Sequence, residues 1–377
     1  MPQGAGTPDS HEPFFDMPNQ RTPTIRKGQA HWPLPREEFI RRYKERFVDP
    51  AFEPLHTQIE QLAQVAWENY VESHKAPRTR KAGPGFQDPN YDLSLDWLNA
   101  RGAIAEAAKY HDSKNSPTRV LLICAAARND KTCPGEMSKT YRLVQLMQPV
   151  LADEQCEVDV LDLSLLTSDF DRVIYPCKAC VSTAMPLCHW PCSCYTNHAL
   201  GQVNDWMNEI YPRWVAAHGV IIVTPVYWYQ APSGLKLMMD RLVCADGGNP
   251  DPTTTRGKDP LRAKRLELAG WGYPKHLARR AFAVVAHGDA SGPETLRRML
   301  VDWLTDMELV QAGPSAVLDT YIGYYRPYAT SHDDLDADTD VFEEVRNAGR
   351  SLVNMVAQMR AGTWTAPDEG LHEPREK

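Results

Sequence analysis

The sequence predicts an α/β protein, a doubly wound five-stranded parallel sheet wrapped by helices and preceded by an N-terminal helical extension. Two observations carry this. After Pro117, short apolar runs alternate with longer segments of helical periodicity, the pattern of a parallel sheet covered on its faces. The chain has 377 residues, 42% of them hydrophobic, enough for a large buried core. The five strand candidates are Arg119 to Ala125, Glu157 to Leu161, Gly219 to Thr224, Ala281 to His287 and Leu309 to Leu318. Helices are expected over roughly 137–152, 198–217, 233–244, 293–306 and 340–360. In such a sheet ligands sit beyond the carboxyl ends of the strands, so the loops after strands one, three and four are the functional candidates.

Residues 1–35 carry seven prolines and little periodicity, and read as an extended arm that wraps a partner subunit or stays disordered. Residues 36–117 form the helical extension. There Ile59, Leu62, Ala63, Ala66, Trp67 and Tyr70 repeat at helical spacing, and Ser94 is placed to cap a helix bearing Leu95, Leu98 and Ile104. Between these helices Lys75, Arg78, Arg80 and Lys81 precede Gly83-Pro84-Gly85. This reads either as a solvated loop or as a basic loop near an anionic ligand. The main domain spans 118–361, with a cysteine-rich insertion over about 175–196 and a second loop insertion over about 245–280, and 362–377 is a tail.

Bulk properties exclude several classes. A net charge of −8 offers no basic field for nucleic acid. No run approaches the roughly 20 apolar residues of a membrane span, and the N-terminus lacks a signal-peptide core, so the expected location is the cytoplasm with no membrane partner. Nine cysteines, an odd number, argue against a secreted disulfide framework.

Three loops stand out. The first runs from Ala125-Ala126-Ala127-Arg128 to Ser138-Lys139-Thr140 at the start of a helix, where hydroxyls and free N–H groups suit one phosphate or serve only as a helix cap. It lacks the glycine patterns of dinucleotide and P-loop sites, so the single phosphate of FMN fits better than ATP or a Rossmann-bound NAD. The second, Thr224-Pro225-Val226-Tyr227-Trp228-Tyr229-Gln230, ends a buried strand in proline and three aromatics, an apolar wall suited to an isoalloxazine ring. The third, His287-Gly288-Asp289-Ala290-Ser291-Gly292, closes strand four.

The second loop, followed by Leu235-Lys236 and Asp240-Arg241, closely resembles the flavin-ring loop of NADPH-dependent FMN reductases, which have a flavodoxin-like fold. In that family a strand ends in T-P-x-Y and the next helix carries L-K-x-x-x-D-R. The resemblance covers about 118–312. It implies that Arg128, Ser138, Lys139 and Thr140 form a phosphate loop, although alanines stand where the family has a serine before Arg128. It further implies that Pro225, Val226, Tyr227 and Trp228 flank the flavin ring and that His287, Gly288 and Asp289 border its pyrimidine edge. Tyr227, Trp228 and His287 are the catalytic candidates, shaping access to the flavin, and His287 is a hydrogen-bonding, proton-donating or simply packed residue.

The connection between strands two and three holds five cysteines, Cys177, Cys180, Cys188, Cys192 and Cys194, spaced C-x2-C-x7-C-x3-C-x-C. Thiolates this close in sequence can reach one small inorganic centre. The run resembles the compact motif of iron-sulfur flavoproteins, which implies a [4Fe–4S] cluster near FMN, with Cys177 and Cys180 as the surest ligands. A zinc site, with His189 as a further candidate, and a redox-active thiol pair are the alternatives. The remaining Cys124, Cys133, Cys156 and Cys244 read as small buried residues.

The function expected is an FMN-dependent oxidoreductase that takes hydride from NAD(P)H and passes electrons through the cluster to a small-molecule or protein acceptor. The alternatives are a quinone, nitro-compound or metal-oxyanion reductase braced by zinc, and a non-enzymatic carrier or redox sensor. The family resemblance implies a homodimer or homotetramer.

Overall fold

The computed structural model describes residues 23–29, 33–182 and 184–367. Most of the expected arm, 1–35, and of the tail, 362–377, lies outside the described residues. The extension contributes α1 (Arg36–Lys44), α2 (His56–Val71), the two-stranded antiparallel ribbon of β1 (Thr79–Lys81) and β2 (Asp92–Ser94), and α3 (Leu95–Asp112). The main domain follows with β3 (Arg119–Cys124), α4 (Lys139–Asp153), β4 (Glu157–Asp162), α5 (Leu165–Ser168) and α6 (Met207–Ala216). It continues with β5 (Gly219–Pro225), α7 (Ser233–Leu242), α8 (Pro260–Leu268), β6 (Ala281–Gly288) and α9 (Pro293–Asp306). It closes with β7 (Val310–Gln311), β8 (Val317–Tyr321), α10 (Ser331–Ala337) and α11 (Thr339–Ala361).

The sheet runs β4-β3-β5-β6-β7, with β8 also pairing β6, and every pairing is parallel. This is the flavodoxin-like order, with the switch between β3 and β5. Side chains alternate between two cores, as a pleated sheet requires. Leu121, Ile123, Val220, Ile222, Phe282 and Val284 pack toward α6, α7 and α9. Val120, Leu122, Ile221, Val223, Ala283 and Val285 pack toward α4 and α11. Every residue of β5 and β6 is buried, which is why these strands read as apolar runs.

Three sequence expectations change. The fifth strand is split into β7 and β8, because Gly313 sits at a φ of +106° and Pro314, which has no N–H to give a ladder, opens a short 3-10 turn. The helix expected from 198 starts only at Met207, since Gly201 and Asn204 adopt left-handed backbone ahead of it. Ser94 occupies the N-cap of α3, but its Oγ makes no capping bond and is buried without a partner among the described residues.

The helical extension is part of this architecture. Ile104 of α3 belongs to the same core as Met207, Ile210 and Tyr211 of α6. Phe86, Leu93 and Trp97 make a small core under the ribbon.

One buried ion pair joins the sheet domain to its insertions. Arg241, on α7, and Asp205 are both fully buried, with NH1 to Oδ1 at 3.0 Å and NH2 to Oδ2 at 2.5 Å. NH1 also donates to the Tyr175 carbonyl at 3.0 Å. A bidentate pair satisfies both oxygens, whereas removing one partner strands a buried charge. Asp205→Ala is therefore expected to lower the unfolding free energy by about 3–5 kcal/mol in urea titrations, and a loss under about 1 kcal/mol, the size typical of an exposed pair, would refute this role.

Candidate functional site

The three loops singled out in the sequence converge at the carboxyl ends of β3, β5 and β6. Pro225 stands opposite His287 in the β5–β6 register, and the Val226 N–H donates to the His287 carbonyl at 2.9 Å. At the head of α4, Ser138 Oγ accepts from the Tyr141 N–H at 3.1 Å. Helix geometry leaves the first N–H groups of α4, on Lys139 and Thr140, without intrahelical partners. Lys139 Nζ donates to the Ile322 carbonyl at 3.0 Å and lies 3.9 Å from the Asp289 carboxylate, so it ties the phosphate loop to the third loop.

A cavity of about 480 Å³ opens beside the first loop, with Arg128, Ser138 and Tyr141 on one side and Asp162, Ser164 and Asp169 on the other. The Arg128 guanidinium lies 5.7 Å from the Tyr328 ring centre. These residues fit FMN on one side only: a cation, a capped helix start and hydroxyls suit a phosphomonoester near Arg128 and Ser138, while the opposing carboxylates would repel it. The stretch 129–132 is held by its own side chains, with Asn129 Oδ1 accepting from the Lys131 N–H and Asn129 Nδ2 donating to Ser164 and Ser168.

The aromatic loop is a tight hairpin. Tyr227 and Gln230 exchange both backbone hydrogen bonds at 3.0 Å, which puts Trp228 and Tyr229 at the two central positions with φ of +49° and +64°. This geometry normally selects Asn-Gly, and left-handed backbone costs a bulky L-residue about 1–2 kcal/mol. Trp228 is nevertheless 95% exposed and Tyr229 62%. A strained turn thus presents two large aromatics to solvent. Burial raises the Tyr227 pKa, opposed by the Ala127 backbone and the Arg128 guanidinium, so its hydroxyl lies by the first loop.

His287 sits behind this surface. It is 2% exposed, its Nε2 shares a 2.9 Å hydrogen bond with Thr140 Oγ1, and its Nδ1 is buried without a partner among the described residues. Burial, with Lys139 adding, pushes its pKa down to about 3, so the ring is neutral. This geometry suits holding Thr140 in place and does not suit passing a proton to a substrate.

The cysteine segment lies against α7. Cys180 and Cys194 have Sγ atoms 3.8 Å apart, too far for a bond of about 2.05 Å. Their contact holds the Cys180 pKa down and pushes that of Cys194 up, and Cys194 in turn raises that of Cys192. Burial raises the pKa of Cys177 and Cys188. The Ala179 N–H donates to Cys177 Sγ at 3.3 Å, the kind of bond that tunes a metal-bound thiolate. The five thiols do not close into the expected cage: among the described residues no three His, Cys, Asp or Glu side chains are arranged to hold a metal ion. His189 is no further ligand either, because Ser193 Oγ (2.6 Å) and Thr255 Oγ1 (3.0 Å) occupy its two ring nitrogens. Arg241 Nε is a buried donor without a partner among the described residues, and its charge only partly opposes the burial that raises the Cys177 pKa and the Cys194 contact and burial that raise that of Cys192.

Two residues here escaped sequence reasoning. Arg241 was visible only as the last letter of a helix motif, yet it sits under the cysteines, 4.7 Å from the Tyr195 ring centre. Asn249 pins the segment by accepting from the Trp190 N–H and donating to the Cys188 carbonyl, both at 2.7 Å through its backbone. Gly248 beside it has no alternative, since a Cβ there would fall 2.1 Å from the Cys244 carbonyl oxygen. Cys244 itself is buried next to Cys192 and Cys188.

A doubly wound sheet with a phosphate-suited loop and an exposed aromatic turn at its switch point defines a flavin-nucleotide protein. The chain belongs to the NADPH-dependent FMN reductase family, whose profile matches residues 118–321, just over half of its length, and it is an NAD(P)H-dependent flavin oxidoreductase. No curated protein matches it. Among solved structures it is similar to RosB with bound 8-demethyl-8-formylriboflavin-5'-phosphate, at 13% identity and a TM-score of 0.44, over 66% of this chain and 82% of that one. It is also similar to the NAD(P)H:quinone oxidoreductase of Methanothermobacter marburgensis (15%, TM-score 0.37, 63% and 100%). A flavone reductase aligns at 12% identity and a TM-score of 0.38, over 67% of each chain. All three likenesses are remote.

Neutral buried histidines set a pH dependence. The pKa of His287 lies at about 3, and that of His218 is pushed down to about 4 by burial with Arg360 and His111 adding, against an ordinary value of 6.5. The unfolded chain therefore binds protons that the folded chain does not. The stability these rings contribute is complete above pH 6.5 and is lost as pH falls toward 4, at ~1.4 kcal/mol per pH unit for each. Urea unfolding at pH 7.5, 5.5 and 4.5 should show this fall, and a stability that holds constant or rises on acidification would contradict it.

Proposed function

We propose that this flavin oxidoreductase takes hydride from NAD(P)H onto FMN and passes electrons through a [4Fe–4S] cluster, held by four of Cys177, Cys180, Cys188, Cys192 and Cys194, to a small-molecule or protein acceptor. The observation that carries the cluster is Arg241. It projects from the helix that follows the flavin loop and reaches the cysteine segment, where it offers a buried N–H that has no partner among the described residues. FMN supplies two-electron hydride chemistry and the cluster one-electron transfer.

The chain's own residues have separate tasks in this reading. Arg128, Ser138, Lys139 and Thr140 bind the phosphate end, and His287 fixes the Thr140 hydroxyl through their shared bond. Pro225, Val226, Gly288 and Asp289 frame the ring's edge, held together by the Val226–His287 backbone bond. Tyr227 and Trp228 wall the ring, and Trp228 is placed to exclude water from its outer face. Lys75 and Arg241 offset negative charge on the cysteines, since both lie within the field of Cys192. We also propose a cytoplasmic homodimer or homotetramer, in which a second copy covers Trp228 and Tyr229. No described helix is long and apolar enough to cross a membrane.

Anaerobic purification followed by absorption spectroscopy and iron, sulfide and zinc assays tests this reading. FMN, iron and sulfide together, with NADPH-dependent bleaching, are the expected result. Zinc without iron would replace the relay by a bracing zinc site in a substrate-specific reductase. Neither metal would leave the Cys180/Cys194 pair as the redox element. Arg128→Ala is expected to weaken FMN binding at least tenfold in a fluorescence titration, and unchanged affinity would remove Arg128 from the phosphate site.

A further inference from the structure

A second cavity, of about 550 Å³, lies outside the flavin domain's own loops. It is built by the turn after α2, the β1–β2 ribbon, residues 193–196 of the cysteine segment and residues 252–258 of the second insertion. Its volume is that of a small-molecule site. We propose that it binds an aromatic carboxylate.

The charge of the ligand follows from the lining. Lys75, Arg256 and Lys258 converge there, while the acids on the rim are Glu72, which is exposed, and Asp92, whose carboxylate is taken by Lys81 at 2.8 Å. Among the described residues neither Arg256 nor Lys258 has a salt-bridge partner. Lys75 donates to the Ser193 carbonyl. Gathered like charges of this kind are relieved by an anion, and the fork of an arginine matches a carboxylate with two parallel bonds.

The ring follows from the walls. Trp97 and Tyr195 are each 3% exposed and form an aromatic floor, with Tyr91 on the side. Polar groups of that floor are already engaged: Trp97 Nε1 donates to the Pro191 carbonyl and Tyr195 Oη to the Pro176 carbonyl, both at 2.8 Å. Tyr175 and Arg241 cover the faces of the Tyr195 ring, at 4.9 and 4.7 Å between centres, so the apolar ring surface offered to a ligand is that of Trp97 and of the half-buried Tyr91. The backbone around the cations is specialised as well. Arg256 adopts φ +45°. Gly257, at φ +76°, has no Cβ, and one there would lie 2.8 Å from the Tyr91 hydroxyl and narrow the cavity.

The cavity and its ligand class go beyond the proposed flavin chemistry, and binding can be measured without turnover. Isothermal titration calorimetry on the FMN-loaded chain would compare 2-naphthoate with neutral 2-naphthamide and with acetate. The expected result is 2-naphthoate binding at least tenfold tighter than either. Arg256→Ala and Lys258→Glu should each weaken it at least fivefold with unchanged thermal melting, since both side chains are exposed. No heat of binding up to millimolar 2-naphthoate, equal affinity for the amide, or undiminished affinity in both variants would overturn the proposal. Competition by excess FMN would also overturn it, by placing the ligand in the flavin site.

Discussion

Much of this structure hangs on the buried pair of Arg241 and Asp205. An arginine with no exposed side chain is tolerated only where its charge is met, and here Asp205, the Tyr175 carbonyl and the Tyr195 ring meet it. Each partner belongs to the long connection between β4 and α6, and Arg241 belongs to the helix after the flavin loop. The pair therefore makes the cysteine segment and the flavin segment mechanically one piece. Its Nε–H, without a partner among the described residues, extends the same charge toward the thiols.

The insertions are knitted to each other as well as to the sheet. Asn249 and Gly248 of the second insertion close over Cys188 and Trp190, and Thr255 holds His189. The extension joins through Lys75 on Ser193 and through the packing of α3 on α6. These three regions, none of them needed to build a doubly wound sheet, together define the second cavity. The flavin loops, by contrast, are positioned almost entirely by strand register, as in the pairing of Pro225 with His287.

What could be read from the sequence follows the same division. The sheet was legible because strands buried on both faces must be apolar throughout, as β5 and β6 are. The flavin loops were legible because their chemistry is local: a proline-ended strand, consecutive aromatics, and hydroxyls at a helix start. The role of His287 was not, since only tertiary contact shows that Thr140 takes its Nε2 and that solvent does not reach it. The cysteine spacing located the thiols but not their arrangement. Whether they form a cage depends on partners far along the chain, Cys244, Arg241 and Asn249 among them, and no interval within 177–194 encodes these.

The packing of α3 bears on how this protein can be divided. Ile104, with Ala107 and Ala108 beside it, faces the apolar side of α6. A chain trimmed to begin at residue 118 would keep every strand of the main sheet and every flavin loop, yet bare that face to water. Its failure would be one of solubility rather than of chemistry, an exposed greasy strip inviting self-association. The extension thus acts as a permanent lid on the outer helical layer, and the catalytic core is not a portable module.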